Sequence, residues 1–175
     1  MPIENAGFLK ARGIIERSAV ALTLADLDAP DAPLLLANAK FEALTGFALS
    51  QVQGRNCRFL QSGDLPANAQ ARADIRHAIE HREELQVVLK NHRRDGRAFD
   101  NLLFLNPVRL DGRDYMLGSQ FELAELSRAV SGAPVHAAKL SDDLSRIAEK
   151  ADRIQMSHRR HLADTAAFLV SRWAR

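Results

Sequence analysis

Three β-type runs in the second half of the chain constrain its fold more than any other feature. Leu85-Gln86-Val87-Val88-Leu89, then Arg97 to Val108, then Tyr115 to Leu123 are separated by turns carrying Asp95-Gly96 and Asp111-Gly112. An Asp-Gly pair between apolar runs supplies the positive φ that tight hairpins require, so these runs predict an antiparallel meander. Two shorter strands precede it. Val20-Ala21-Leu22-Thr23-Leu24 runs into Asp26-Leu27-Asp28-Ala29-Pro30-Asp31-Ala32-Pro33, whose two prolines and three aspartates force a loop, and Leu34-Leu35-Leu36 resumes as a buried strand. Asn38 then opens a segment with Phe41 and Leu44 three apart, closed by Gly46, the pattern of a brief helix capped at both ends. Between Pro66 and His81, Ala71, Ile75, Ala78 and Ile79 fall at helical spacing and predict one longer helix. Two strands, several helices and three strands make an α+β pattern: a five-stranded antiparallel sheet with helices on one face, a shell able to enclose a ligand.

Both ends extend beyond this unit. Residues 1–19 form an N-terminal cap, in which Ile3, Phe8, Leu9, Ile14 and Ile15 among charges give an amphipathic helix that needs a surface to lie on. Residues 20–123 hold the domain. Residues 124–138, with Ser131-Gly132-Ala133-Pro134, form a linker, and residues 139–175 a helical extension. In that extension Leu140, Leu144, Ile147, Ala151, Ile154, His158, His161, Thr165, Phe168 and Arg172 step by four and three, apolar at first and polar later. Two histidines and a threonine argue against one long coiled coil, and Ser157 could cap a second helix, so the tail reads as a bent helix or a helical pair.

Length and composition exclude several classes of function. At 175 residues the chain has room for one domain with modest extensions. Its 46% apolar and 26% charged residues are those of a soluble protein. It contains no apolar run long enough for a membrane span and no secretory leader, which places it in the cytoplasm. A net charge of +2 speaks against nucleic-acid binding, and His158, Arg159, Arg160 and His161 read as a polar helix face. The single cysteine, Cys57, rules out an intrachain disulfide and a cysteine-based zinc site, so no metal is expected. A lone cysteine is ordinarily a small buried hydrophobe; its neighbours decide otherwise here.

Those neighbours are Gly54-Arg55-Asn56-Cys57-Arg58-Phe59-Leu60-Gln61. This segment resembles, at all eight positions, the signature of LOV domains, the blue-light-sensing branch of the PAS family. The resemblance extends from about Val20 to Leu123, with Asn91, Asn101 and Gln120 following in the expected order. It implies a PAS-like fold and a flavin held by Asn56, Gln61, Asn91, Asn101 and Gln120, with Leu103 beside the ring. A carboxamide carries two donors and an acceptor, which suits the alternating carbonyls and N–H groups of a flavin's pyrimidine edge. Arg58 and Arg76 would offer fork-shaped cationic donors to a terminal phosphate, favouring FMN over FAD or riboflavin. The loop from Ser62 to Asn68 is about two residues longer than in plant-type LOV domains. Leu103 and Ala25 stand where an aromatic and a threonine are common in the family.

The resemblance assigns Cys57 the reactive role: in the family, light drives its sulfur onto flavin C(4a) and the bond reverses in the dark. Gln120 is then the transmitter, because N(5) changes from hydrogen-bond acceptor to donor and its strand leads into the helical tail. The implied protein is a short, non-enzymatic photoreceptor, homodimeric through its terminal helices or the sheet face, with an unknown signalling partner. A flavin-based redox or ligand sensor without photochemistry is the alternative. Direct DNA contact through Arg153, Arg159, Arg160, Arg172 and Arg175 is weighed against the near-neutral charge.

Overall fold

The strands pair as their alternation and turns anticipate. The computed structural model describes residues 6–61, 66–123 and 138–173, and within the last stretch the side chains of 153–172. Strands β1 (Ala21–Asp26), β2 (Leu34–Ala37), β3 (Leu85–His92), β4 (Ala98–Leu110) and β5 (Arg113–Leu123) form one antiparallel sheet in the order β2-β1-β5-β4-β3. The β4–β5 turn places Asp111 at φ 47° and Gly112 at φ 81°, the two positive values of a turn whose twist matches its strands. The β3–β4 turn is a residue longer. Arg93 N donates to Arg97 O and Gly96 N to Arg93 O, both at 2.9 Å, and Gly96 alone takes the left-handed conformation, at φ 86°. Pro107 is tolerated in β4 because β3 ends opposite Leu105, leaving that stretch paired on one side only.

Helices lie over both faces of the sheet. On the inner side are α2 (Ala39–Thr45), α3 (Leu49–Val52), a 3₁₀ turn at Cys57–Gln61 and α4 (Ala69–His81). Asn38 caps α2 and does more. Its Oδ1 accepts from Phe41 N and Leu22 N, each at 3.0 Å, and its Nδ2 donates to Ile15 O at 2.9 Å and Val20 O at 2.8 Å. Gly46, at φ 76°, closes the same helix.

The outer face is packed by α1 (Ala6–Arg17) and α5 (Ala138–Trp173). Phe8, Ala11 and Ile15 of α1 and Ala166 and Val170 of α5 join Leu22, Leu24, Val108, Leu110, Tyr115 and Leu117 in one buried cluster. Beside it Ala163 sits on Leu102 and Phe104. Asp111 Oδ2 accepts from Gly7 N at 2.7 Å, so the β4–β5 turn satisfies an otherwise orphaned N–H in the first turn of α1.

Of the two alternatives open for the tail, α5 takes the single helix: it continues through Ser157, and no proline or glycine interrupts residues 138–173. The seam packed on the sheet is not the heptad-like stripe. Met156, Ala163, Ala166 and Val170 face the sheet, whereas Ile154, His158, His161, Thr165, Phe168 and Arg172 are exposed. Small alanines let the helix approach the aromatic-rich sheet closely, and this outweighs the regular spacing of larger residues. The linker expected at 124–138 lies, except for Ala138, outside the described residues.

Candidate functional site

The inner side chains of the strands enclose a cavity of about 90 Å³. Thr23 and Ala25 come from β1, Leu89 and Asn91 from β3, Asn101, Leu103 and Leu105 from β4, and Met116, Gly118 and Gln120 from β5. The opposite wall is Asn56, Cys57, Arg58 and Gln61 of the 3₁₀ segment with Ile75 and Ile79 of α4. An outer cleft of about 370 Å³ adjoins it, sharing Ala32, Asn56, Arg58, Gln61, Ile75 and Ile79 and adding Arg72, Arg76 and Arg82. Together the two spaces reach the roughly 300–1,000 Å³ of small-molecule and cofactor sites.

Local chemistry holds the cysteine segment against the sheet. Gly54, at φ 79°, turns the chain, and its N donates to Leu34 O at 2.8 Å while Leu34 N donates to Arg55 O at 2.9 Å. Asn56 Oδ1 then accepts from Arg58 N at 3.0 Å, opening the short helix. Cys57 packs beside Phe41, Val52 and Leu60 and lines the cavity. Loss of hydration pushes its thiol up to about 12, so the sulfur keeps its proton across the physiological range.

Four acceptors in this cavity lack partners among the described residues. Gln61 Oε1, Asn91 Oδ1, Asn101 Oδ1 and Gln120 Oε1 are all buried without a hydrogen bond, and all four residues line the one cavity. Each such group costs about 1–3 kcal/mol, and placing four in one space leaves it short of donors that a polar ligand can bring. The cavity walls are otherwise largely apolar. The arrangement suits a flat ligand with a hydrogen-bonding edge at β3–β5, a ring beside Cys57 and an anionic tail among the arginines of the cleft.

All the site residues expected from the sequence adjoin these two spaces. Asn56, Cys57, Arg58, Gln61, Asn91, Asn101, Leu103 and Gln120 line the inner cavity, and Arg76 lines the cleft. Three of them are already engaged: Arg58 pairs with the Asp31 carboxylate, Asn56 Nδ2 donates to Asp31 O at 2.6 Å, and Gln120 Nε2 donates to Thr23 Oγ1 at 3.0 Å. Thr23, Arg72, Arg82, Met116 and Gly118 were missed. Arg72 was within reach, since it precedes Arg76 by one helical turn. Arg82 was not, because it enters through a left-handed cap at φ 58° that bulky residues seldom adopt. Among the described residues no group of three or more His, Cys, Asp or Glu could hold a metal ion, and no helix is long and apolar enough to cross a membrane.

Comparison with known proteins agrees with this geometry. Residues 20–125 match the PAS domain model. The chain is 40% identical over 116 residues to a blue-light-activated histidine kinase of Rhizobium johnstonii, covering 65% of this chain and 33% of that protein. It is 38% identical over 104 residues to a blue-light photoreceptor of Listeria monocytogenes, covering 59% and 40% respectively. The match thus spans between a third and two fifths of the length of these curated relatives. Among solved structures, the LOV protein of Rhodobacter sphaeroides is similar over 95% of this chain and 96% of its own, at 50% identity and a TM-score of 0.66. The chain belongs to the PAS domain family and, within it, to the LOV proteins.

Proposed function

We propose that this protein is a blue-light photoreceptor that binds FMN and forms, on illumination, a reversible bond between the Cys57 sulfur and the flavin. One observation carries the reading: the chain's single thiol faces the same cavity as four carboxamides with unpartnered oxygens. When bound, the flavin would supply blue absorption and an electrophilic C(4a)=N(5) bond across which a thiol S–H can add. Sulfur goes to carbon and the thiol proton to nitrogen, so no external oxidant or reductant is needed. Cys57, held protonated by burial, brings both.

The surrounding residues bind and orient. Asn91 and Asn101 complement the pyrimidine edge, Asn56 and Gln61 the ribityl hydroxyls, and Leu103 and Ala25 pack the ring. Arg58, Arg72, Arg76 and Arg82 surround the cleft with donors for a phosphate, which riboflavin lacks. Gln120 relays the change in hydrogen bonding. Its neighbour Phe121 packs with the outer-face clusters, and Arg159 of α5 donates to Glu122 O at 3.2 Å.

The output is a change in α5 packing, read by a second copy of the chain and then by a signalling partner in the cytoplasm; the protein has no catalytic turnover of its own. Ile154, Phe168 and Leu169 are large apolar side chains left exposed on α5, which suits such a dimer. The curated blue-light-sensing relatives support light sensing, and the half-buried thiol lining the cavity supports its chemistry. The test is the absorption spectrum of the purified protein before and after blue light, followed into the dark. A structured flavin band that bleaches and returns is expected. Bound flavin without reversible bleaching would point to redox or ligand sensing, and absence of flavin would undo the reading.

A further inference from the structure

Thr23 turns from the outer face of the sheet, where its neighbours Leu22 and Leu24 are fully buried, into the cavity. Its Oγ1 accepts from Gln120 Nε2 at 3.0 Å, a bond that joins β1 to β5 within the buried interior. Gln120 Oε1, the other end of the same carboxamide, is buried and unpartnered. Gly118 stands opposite Thr23 in the β1–β5 register. A Cβ there would lie 2.7 Å from Thr23 Oγ1 and 3.3 Å from Gln120 Nε2, so hydroxyl and carboxamide meet only because position 118 is glycine.

We propose that Thr23 is a positioning residue for Gln120, holding whichever end of its carboxamide the flavin does not use. This rests on the flavin reading above. A hydroxyl both donates and accepts, whereas the two ends of a carboxamide each do one. With Nε2 on Thr23, Oε1 faces the cavity and can accept from a protonated N(5). With the amide turned over, Thr23 O–H donates to Oε1 and Nε2 faces the cavity, where it can donate to an unprotonated N(5). The hydroxyl satisfies both arrangements, so the protonation of N(5) alone selects between them. A valine of the same shape would leave one amide end without a partner in either arrangement. Thr23 also ties the switch to β1, which carries Leu22 and Leu24 against α1.

The experiment compares the full flavin-loaded chain with Thr23→Val, which removes the hydroxyl, and Thr23→Ser, which keeps it. Three quantities are read: the glutamine side-chain carbonyl band in infrared difference spectra, the dark-recovery rate, and the light-induced hydrogen exchange of α5. The band is read after illumination and, separately, after dithionite reduction, which protonates N(5) without light. Thr23→Val is expected to bleach, to shift the glutamine band, to change recovery by about tenfold, the worth of one buried hydrogen bond, and to blunt the α5 response. Thr23→Ser is expected to restore all three to within about twofold. A Val variant with unaltered band, recovery and exchange would overturn the proposal, as would a Ser variant that behaves like Val. Failure of the parent protein to bleach would sink the Cys57 chemistry alone, because the dithionite spectra still decide the role of Thr23; a parent without flavin would overturn both.

Discussion

The two faces of the sheet are built from alternate residues of the same strands and obey opposite rules. On the outer face Leu22, Leu24, Leu102 and Leu117 are fully buried against helices, and every methyl group there contributes to folding. On the inner face Asn91, Asn101 and Gln120 are buried almost as deeply, yet each holds an oxygen that nothing among the described residues satisfies. The outer face is apolar apart from Asn106 and Ser119, whose side-chain oxygens are the atoms left without partners there among the described residues. The inner face is incomplete, and its cost is recovered only when a ligand brings donors. A strand's two-residue period therefore separates stability from recognition at a distance of one peptide unit.

Substitutions can break or sharpen this contrast. The largest effect is expected at Cys57: Cys57→Ala should retain bound flavin and lose reversible bleaching entirely, and any thiol-type bleaching left in that variant would exclude the assigned chemistry. Next, Leu117→Ala should lower the unfolding free energy by about 2–5 kcal/mol in urea titrations while leaving the flavin band in place. A loss well under 1 kcal/mol would mean that the outer face is not the anchor. Asn101→Leu should act with opposite signs in the two states. The flavin-free protein should gain about 1–3 kcal/mol by losing an unsatisfied acceptor, while flavin affinity falls; destabilisation of both states would contradict the contrast.

The smallest effect concerns pH. Burial holds the Cys57 thiol near 12, so the bleaching amplitude should be flat from about pH 6 to about 8, as absorbance titration can check. The contribution of Cys57 to stability should be lost as pH rises from about 9, where the unfolded thiol ionises and the folded one does not, towards about 12, as alkaline urea titrations of the parent and the alanine variant can check. That alkaline component should vanish in Cys57→Ala.

Much of this was legible in the residues. The meander was announced by alternation and two Asp-Gly turns, and the caps of α2 by Asn38 and Gly46, because these signals are local. Cys57 and its carboxamides were legible through the eight-residue motif and the order of the later amides. What escaped depends on contacts between distant segments. Thr23 reads in one dimension as another strand residue, and only pairing with β5 brings it to Gln120. The seam of α5 escaped because two stripes compete on that helix. The spacing of Ile154, His158, His161, Thr165 and Phe168 is the more regular, but the fit of Ala163 and Ala166 to Phe104 and its neighbours decides which face turns inward.

The Asn38 carboxamide gives the two terminal helices unequal standing. It clamps the last turn of α1 to β1 and α2 through four buried hydrogen bonds. The contacts of α5 with the sheet include apolar packing and the Arg159 bond to Glu122 O. In mechanical terms α1 is a bracket and α5 a lever. On the proposed signal route, an enzyme or binding module grafted onto α5 would inherit the movement of the switch, whereas the same module grafted onto α1 would gain only a rigid mount.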